Sequence, residues 1–181
     1  MGLLSRLRYG ADMDRTEVLE MGRGGCSVEA ALDVLGERWT FLVLREAFFG
    51  LRRFDDFQKK TGAARNLLTD RLATLVKSEV LAKVPYREEG QRERFEYRLT
   101  PKGKELYPIL QALRQWGDRW LHDGEGPLEV FHRECGGRVV TEVRCEHGHG
   151  PLAANETDAQ RNPRFGKRRS RARADQAIAK G

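Results

Sequence analysis

The hydrophobic positions along this chain change period several times, and each change marks an element. From Ser27, a good helix N-cap residue, Val28, Ala31, Leu32 and Leu35 recur at helical spacing, flanked by Glu29 and Glu37, until Gly36 stops the run. A second helix is predicted from Arg38 to Phe49. It is apolar on most sides through Trp39, Leu42, Val43, Leu44, Ala47 and Phe48, hence buried, with Gly50 as its C′ residue. A short helix over Arg53 to Thr61, anchored by Phe54 and Phe57, turns at Gly62 into a longer one, about Ala64 to Lys77. On that longer helix Leu68, Leu72, Leu75 and Val76 form one stripe at the 3.6-residue period. Asn66, Asp70, Ala73 and Lys77 lie opposite, with Thr69 and Thr74 at the edges. The pattern then becomes strand-like over Leu81 to Tyr86 and Arg94 to Leu99, two runs joined by a hairpin through Gly90. Thr100-Pro101 supplies the N-cap and N1 pair that opens a helix, and Leu106, Ile109, Leu110, Leu113, Trp116, Trp120 and Leu121 carry it to about Leu121. Pro108 either kinks that helix or marks its true start.

Two helices joined by a tight turn and followed by a hairpin make a winged helix. The expected fold class is mainly α with a small β-hairpin: a winged helix-turn-helix domain plus a long C-terminal dimerisation helix. An apolar stripe with two tryptophans, left over once the core is built, is better buried against a second copy of itself. Folding back on its own domain is the rival reading. The expected domains are a mobile N-terminal extension over 1–25, with a fragment of helix around Arg15 to Met21, and the winged helix with its dimerisation helix over 26–122. A short appendix over 123–154 carries strand-like runs at Leu128 to Phe131 and Arg138 to Val143, and a disordered basic tail follows over 155–181.

The polar face of the Ala64 to Lys77 helix bears Arg65, Asn66, Thr69, Asp70 and Arg71 near its start. Asn can take adenine N6 and N7 together, and Arg reaches a guanine edge or a phosphate, so these residues suit major-groove reading. An ordinary polar surface helix is the competing explanation. The hairpin favours nucleic acid, because Arg87, Arg92 and Arg94 crowd around Gly90, where they suit phosphate or minor-groove contact. Asp70 is awkward, since a carboxylate repels phosphate unless it accepts from cytosine N4 or pairs with Arg65 or Arg71. Between Arg52 and Arg98 there are 12 basic and 8 acidic residues, a local balance of +4.

Charge over the whole chain changes this picture less than its total suggests. From Arg161 to the end, eight basic residues stand against Asp175 alone, a balance of +7 within a chain total of +6. The first 160 residues therefore sum to −1, and basicity belongs to the tail. With 181 residues, 39% hydrophobic, the chain suffices for one domain with a modest core plus tails. No run approaches the roughly 18 apolar residues that span a bilayer, and the N-terminus lacks the apolar stretch of a signal peptide. Three cysteines without a secretion signal point to a reducing cytoplasm. No Gly-rich phosphate loop, paired helical carboxylates or nucleophile elbow is visible, so no enzyme is expected.

Taken together, Cys26-Ser-Val-Glu-Ala-Ala-Leu-Asp-Val-Leu-Gly36, Arg38-Trp39-Thr40, Leu44-Arg45-Glu46, Arg52-Arg53-Phe54, Leu67-Leu68-Thr69-Asp70-Arg71-Leu72, Tyr97-Arg98-Leu99-Thr100-Pro101-Lys102-Gly103 and Trp116-Gly117 resemble the HxlR-type winged helix-turn-helix transcriptional regulators. The resemblance covers about Cys26 to Leu121. It implies a cytoplasmic homodimer that binds double-stranded operator DNA as a repressor or activator. It also implies that Ala64 to Lys77 is the recognition helix, Arg87 to Arg94 the wing, and the N-terminal helix with the long C-terminal helix the dimer interface. A two-fold dimer would read a pseudo-palindrome with half-sites about one helical turn apart. A winged-helix protein-interaction module that has lost specific DNA readout is the alternative function.

Two further sites carry chemistry. Some members of the family have a thiol at the place of Cys26 that senses oxidants or electrophiles. A cysteine at a helix N-terminus also has its thiolate favoured by unpaired N–H groups. The competing reading is a small buried residue packing the interface. The appendix holds His132, Cys135, Cys145, His147 and His149, donors that suit zinc, although the position where some relatives complete a Cys-x-x-Cys is Gly148. Zinc or unliganded loop residues both remain open there, and no other cofactor is expected.

Overall fold

The core forms where the apolar stripes of three helices and one strand meet. The computed structural model describes residues 26–90 and 92–159. Its elements are α1 (Ser27–Leu35), α2 (Arg38–Phe48), α3 (Phe54–Thr61), α4 (Arg65–Lys77), β1 (Leu81–Tyr86), β2 (Arg94–Leu99), α5 (Pro101–Lys104) and α6 (Tyr107–Leu121), with a 3₁₀ turn at Ala154–Glu156. Val43 and Leu44 of α2, Phe57 of α3, Leu68, Leu72 and Leu75 of α4 and Leu81 of β1 are all but fully buried. Each such side chain contributes about 1.5–3 kcal/mol by leaving water. The helical stripe expected on α4 is therefore the one that packs, and its polar face is left outside.

Strands β1 and β2 pair antiparallel in a register that runs from Leu81 opposite Leu99 to Tyr86 opposite Arg94. The chain entering α3 adds to this hairpin: Tyr97 N donates to Arg52 O at 2.7 Å, and Arg53 bridges Glu96. After β2, Thr100 caps α5 by accepting from Gly103 N at 3.0 Å while its hydroxyl donates to Glu79 O at 2.6 Å. Gly103 is buried, and a Cβ there would sit 2.1 Å from the Val80 carbonyl oxygen. Only glycine permits this approach of α5 to the start of the wing.

Several boundaries differ from the sequence expectation. The residue capping α1 is Cys26 rather than Ser27, without a side-chain hydrogen bond. The long helix after Thr100 is two helices, and Pro108 lies in the first turn of α6, so it marks a true start rather than a kink. The stripes of α1 and α6 stay largely uncovered: Val28 and Leu32 on α1 are exposed, as are Ile109, Leu113, Trp116 and Trp120 on α6. On α6 Gln111 alone is fully buried.

Among the described residues, 26–142 form one unit and 143–159 belong to a second, so the boundary falls inside the segment expected over 123–154. In the first unit, the strand-like runs at 128–131 and 138–142 reduce to a tight hairpin with one bridge, Phe131 to Arg138, and a Val139 N to Val130 O hydrogen bond of 2.8 Å. Gln115 of α6 holds this hairpin as a strand edge would. Its Oε1 accepts from Thr141 N at 3.1 Å and its Nε2 donates to Val139 O at 3.3 Å. In the second unit, Cys145 N donates to His149 O at 3.1 Å and Leu152 N to Val143 O at 2.9 Å. The 3₁₀ turn at Ala154–Glu156 replaces the disorder expected from residue 155. The expectations for residues 1–25 and for the basic stretch beyond 159 lie outside the described residues.

Candidate nucleic-acid interface

Helix α3 ends at Gly62, whose left-handed φ of 71° lets its N–H return to Gln58 O at 2.9 Å. Thr61 tightens the same turn: its hydroxyl donates to Phe57 O at 2.7 Å and accepts from Ala63 N at 3.3 Å. The chain then starts α4 at Arg65 with Ala64 as N-cap, no side-chain cap and no acidic residue in the first turn. The leading N–H groups and the positive end of the helix dipole are thus left for an outside acceptor such as phosphate.

Arg65, Asn66, Thr69 and Asp70 are all exposed on the first two turns. The Arg65 guanidinium lies over the Phe54 ring at 4.8 Å and 4.0 Å from Asp55, so contacts from α3 orient it. Thr69 donates to Arg65 O at 2.8 Å, which turns its lone pairs outward. The Asn66 amide makes no hydrogen bond among the described residues, so both its donor and its acceptor are available. Arg71 departs from the expected set. Its side chain is 22% exposed, its Nη1 lies 3.7 Å from Glu37 at the start of α2, and its Nε is buried without a partner. One residue past Asp70 the helix has turned by about 100°, which carries Arg71 off the outer face. With Arg65 beside Asp55 and Arg71 beside Glu37, neither neutralises Asp70, which suits a base amino group better than a phosphate.

On the wing, Arg87, Arg92 and Arg94 are exposed, and Gly90 makes the turn with φ 73°. Glu88, Glu89 and Glu93 intervene, so residues 87–94 balance to zero charge. Arg53, to which sequence assigned no role, changes that balance. Its Nη2 lies 2.7 Å from Glu88 Oε1 and its guanidinium stacks over Tyr86 at 4.7 Å. The hydrogen bond to Glu88, helped by the nearby tyrosine, holds the Arg53 pKa above its already high usual value. One of the three wing carboxylates is taken up in this way, and the wing is tied to the N-terminus of α3. The only signal in the sequence is the Arg52-Arg53 pair just before Phe54.

Cys26 is exposed in the protomer at the N-cap of α1. His132 Nδ1 lies 3.2 Å from Cys135 Sγ, both exposed, whereas Cys145, His147 and His149 belong to the other unit. Among the described residues no group of three or more His, Cys, Asp or Glu is placed to hold a metal ion. None of the helices among these residues is long and apolar enough to cross a membrane.

A turn-linked helix pair whose second helix is polar outside, followed by an arginine-bearing hairpin, defines a winged helix-turn-helix protein of the nucleic-acid-binding class. The chain belongs to the HxlR-like helix-turn-helix family, whose pattern residues 34–125 match. It is 40% identical to the uncharacterised HTH-type transcriptional regulator Rv3095 of Mycobacterium tuberculosis over 142 residues, 78% of this chain and 89% of that one. A regulator of Synechocystis is 34% identical over 56% of this chain and 82% of its own. Among solved structures, the candidate transcription factor PA1607 superposes with a TM-score of 0.68 at 42% identity, over 77% of this chain and 97% of that one. PA1374 of Pseudomonas aeruginosa, also a candidate transcription factor, reaches a TM-score of 0.55 at 31% identity, over 81% and 99% of the two chains. These likenesses place the chain among DNA-binding regulators of transcription.

Proposed function

We propose that the chain acts as a homodimer on a pseudo-palindromic operator, reading base edges with Arg65, Asn66, Thr69 and Asp70. Arg87, Arg92 and Arg94 then hold the flanking backbone or minor groove. The observation that carries this reading is the exposed polar face at the uncapped start of α4. Dimerisation is supported by the uncovered apolar side chains of α1 and α6, which exceed the scattered exposure of a monomer. The expected assembly is a two-fold dimer whose half-sites lie about one helical turn apart. A gel shift with DNA upstream of its own gene, in excess random DNA, tests the reading. A complex that survives the competitor supports it, and one the competitor erases favours the protein-interaction module, to which the neutral wing lends some weight.

Exposure of Cys26 beside the apolar residues of α1 supports a second layer, in which thiol oxidation alters operator affinity. An operator complex that loses affinity with oxidant should become insensitive as Cys26→Ser. The same oxidant response in that variant removes Cys26 from the account.

A further inference from the structure

Helix α6 also lines a cleft, which its exposed apolar stripe meets only at Leu113. Between α2, the start of α6 and residues 127–133 lies a cleft of about 730 Å³. That falls within the roughly 300–1,000 Å³ of small-molecule sites. Its walls are aromatic: Phe41 and Phe49 line it, and Phe48 meets Tyr107 with ring centroids 5.3 Å apart.

The polar groups of its floor satisfy one another. Glu46, 5% exposed, accepts from Arg45 Nε at 2.8 Å and from Nη2 at 2.5 Å. Arg114 donates to Gln111 Oε1 at 2.9 Å and to Asp118 Oδ2 at 2.5 Å. Both lining carboxylates are therefore neutralised within the cleft. Lys60 and Arg133 also line it, both exposed, and neither has a side-chain partner among the described residues. An apolar aromatic cleft with two uncompensated cations is complementary to an apolar anion. The basic stretch from Arg161 to Arg173 has the wrong sign of charge to fill it.

We infer that this cleft binds a small aromatic carboxylate, its rings against Phe41, Phe49 and Tyr107 and its charge met by Lys60 and Arg133. The cleft is lined by α6 through Leu110, Leu113 and Gly117, and the same helix carries Ile109, Trp116 and Trp120 outside the cleft. An occupant is thereby placed to shift the helix that the proposed dimer uses. This coupling rests on the dimeric reading, whereas binding itself does not.

Isothermal titration of the full chain with benzoate, 2-naphthoate and biphenyl-4-carboxylate, each beside its neutral carboxamide, tests the site. At least one acid should bind once per protomer, tenfold or more tighter than its amide. The double variant Lys60→Gln with Arg133→Gln should lose that preference while still binding the amide. Gly117 lines the cleft in the middle of α6, and a Cβ there would meet nothing within 4 Å. Gly117→Leu should then project a side chain into the cleft, weaken binding of acid and amide alike, and leave the circular dichroism spectrum unchanged. No binding of any acid at millimolar concentration, equal binding of acid and amide, or undiminished binding to folded Gly117→Leu would each overturn the site. An acid that binds without changing operator affinity would overturn only the coupling to DNA.

Discussion

Asn66 and Arg92 are assigned different kinds of contact in the proposed complex, and single substitutions separate them. The Asn66 amide has donor and acceptor both unused, the pair that an adenine edge matches. Asn66→Ala should weaken operator binding by about 1–3 kcal/mol, roughly 5- to 150-fold, and leave affinity for random DNA unchanged. Arg92 is exposed on the wing, where a guanidinium meets phosphate whatever the sequence. Arg92→Ala should weaken specific and random DNA alike and reduce the salt slope of the proposed dimer by about two counterions, one per protomer, as read from anisotropy titrations across ionic strength. Gly103 bears on the scaffold instead. With backbone only 2.1 Å from its added Cβ, Gly103→Ala should cost on the order of 2 kcal/mol or more in urea unfolding. The outward position of Arg65, Asn66, Thr69 and Asp70 on α4 was legible in the sequence, because a helical period alone sorts inner from outer positions. The sequence reading was wrong in placing Arg71 on that face, since the pull of Glu37 comes from a helix distant in sequence.

At the scale of elements, local chemistry made the wing legible. Alternation, a glycine turn and a following Thr-Pro pair define both strands, and β1 and β2 begin and end where that pattern does. Pro108 likewise announces the start of α6. The tie between wing and α3 was not legible, because Arg53 meets Tyr86 and Glu88 only after the hairpin folds back onto the residues preceding α3. Arg53→Ala should leave the unfolding midpoint nearly unchanged, as for most exposed ion pairs. Hydrogen exchange at the wing amides should accelerate and operator affinity should fall several-fold. Unchanged exchange in the wing would show that the hairpin holds its angle without Arg53. The appendix was misjudged for a related reason: the apolar residues at 128–131 and 138–142 look like strands, but only one bridge forms and α6 supplies the missing edge through Gln115.

For the whole molecule, the uncovered apolar surface is what the proposed dimer rests on. Trp116 and Trp120 are 57% and 64% exposed in the protomer, and Val28 and Leu32 of α1 are exposed as well. Replacing both tryptophans with glutamate should convert the dimer to a folded monomer in sedimentation and remove operator binding with it, because one reading helix spans one half-site. Net charge acts on the same scale. The surplus lies beyond Arg161, so deleting that stretch should lower affinity for all sequences equally and leave their ranking intact.

The measurement that bears most directly on the central claim is fluorescence anisotropy of the full-length protein on the DNA upstream of its gene, titrated with random competitor, beside the double variant Asn66→Ala with Arg92→Ala. The account predicts wild-type binding that survives competitor, a steep loss with salt, and a folded, dimeric variant that no longer distinguishes the upstream DNA from random sequence. Wild-type binding that competitor abolishes, or a variant that discriminates as well as the wild type, would contradict the assignment of sequence reading to α4.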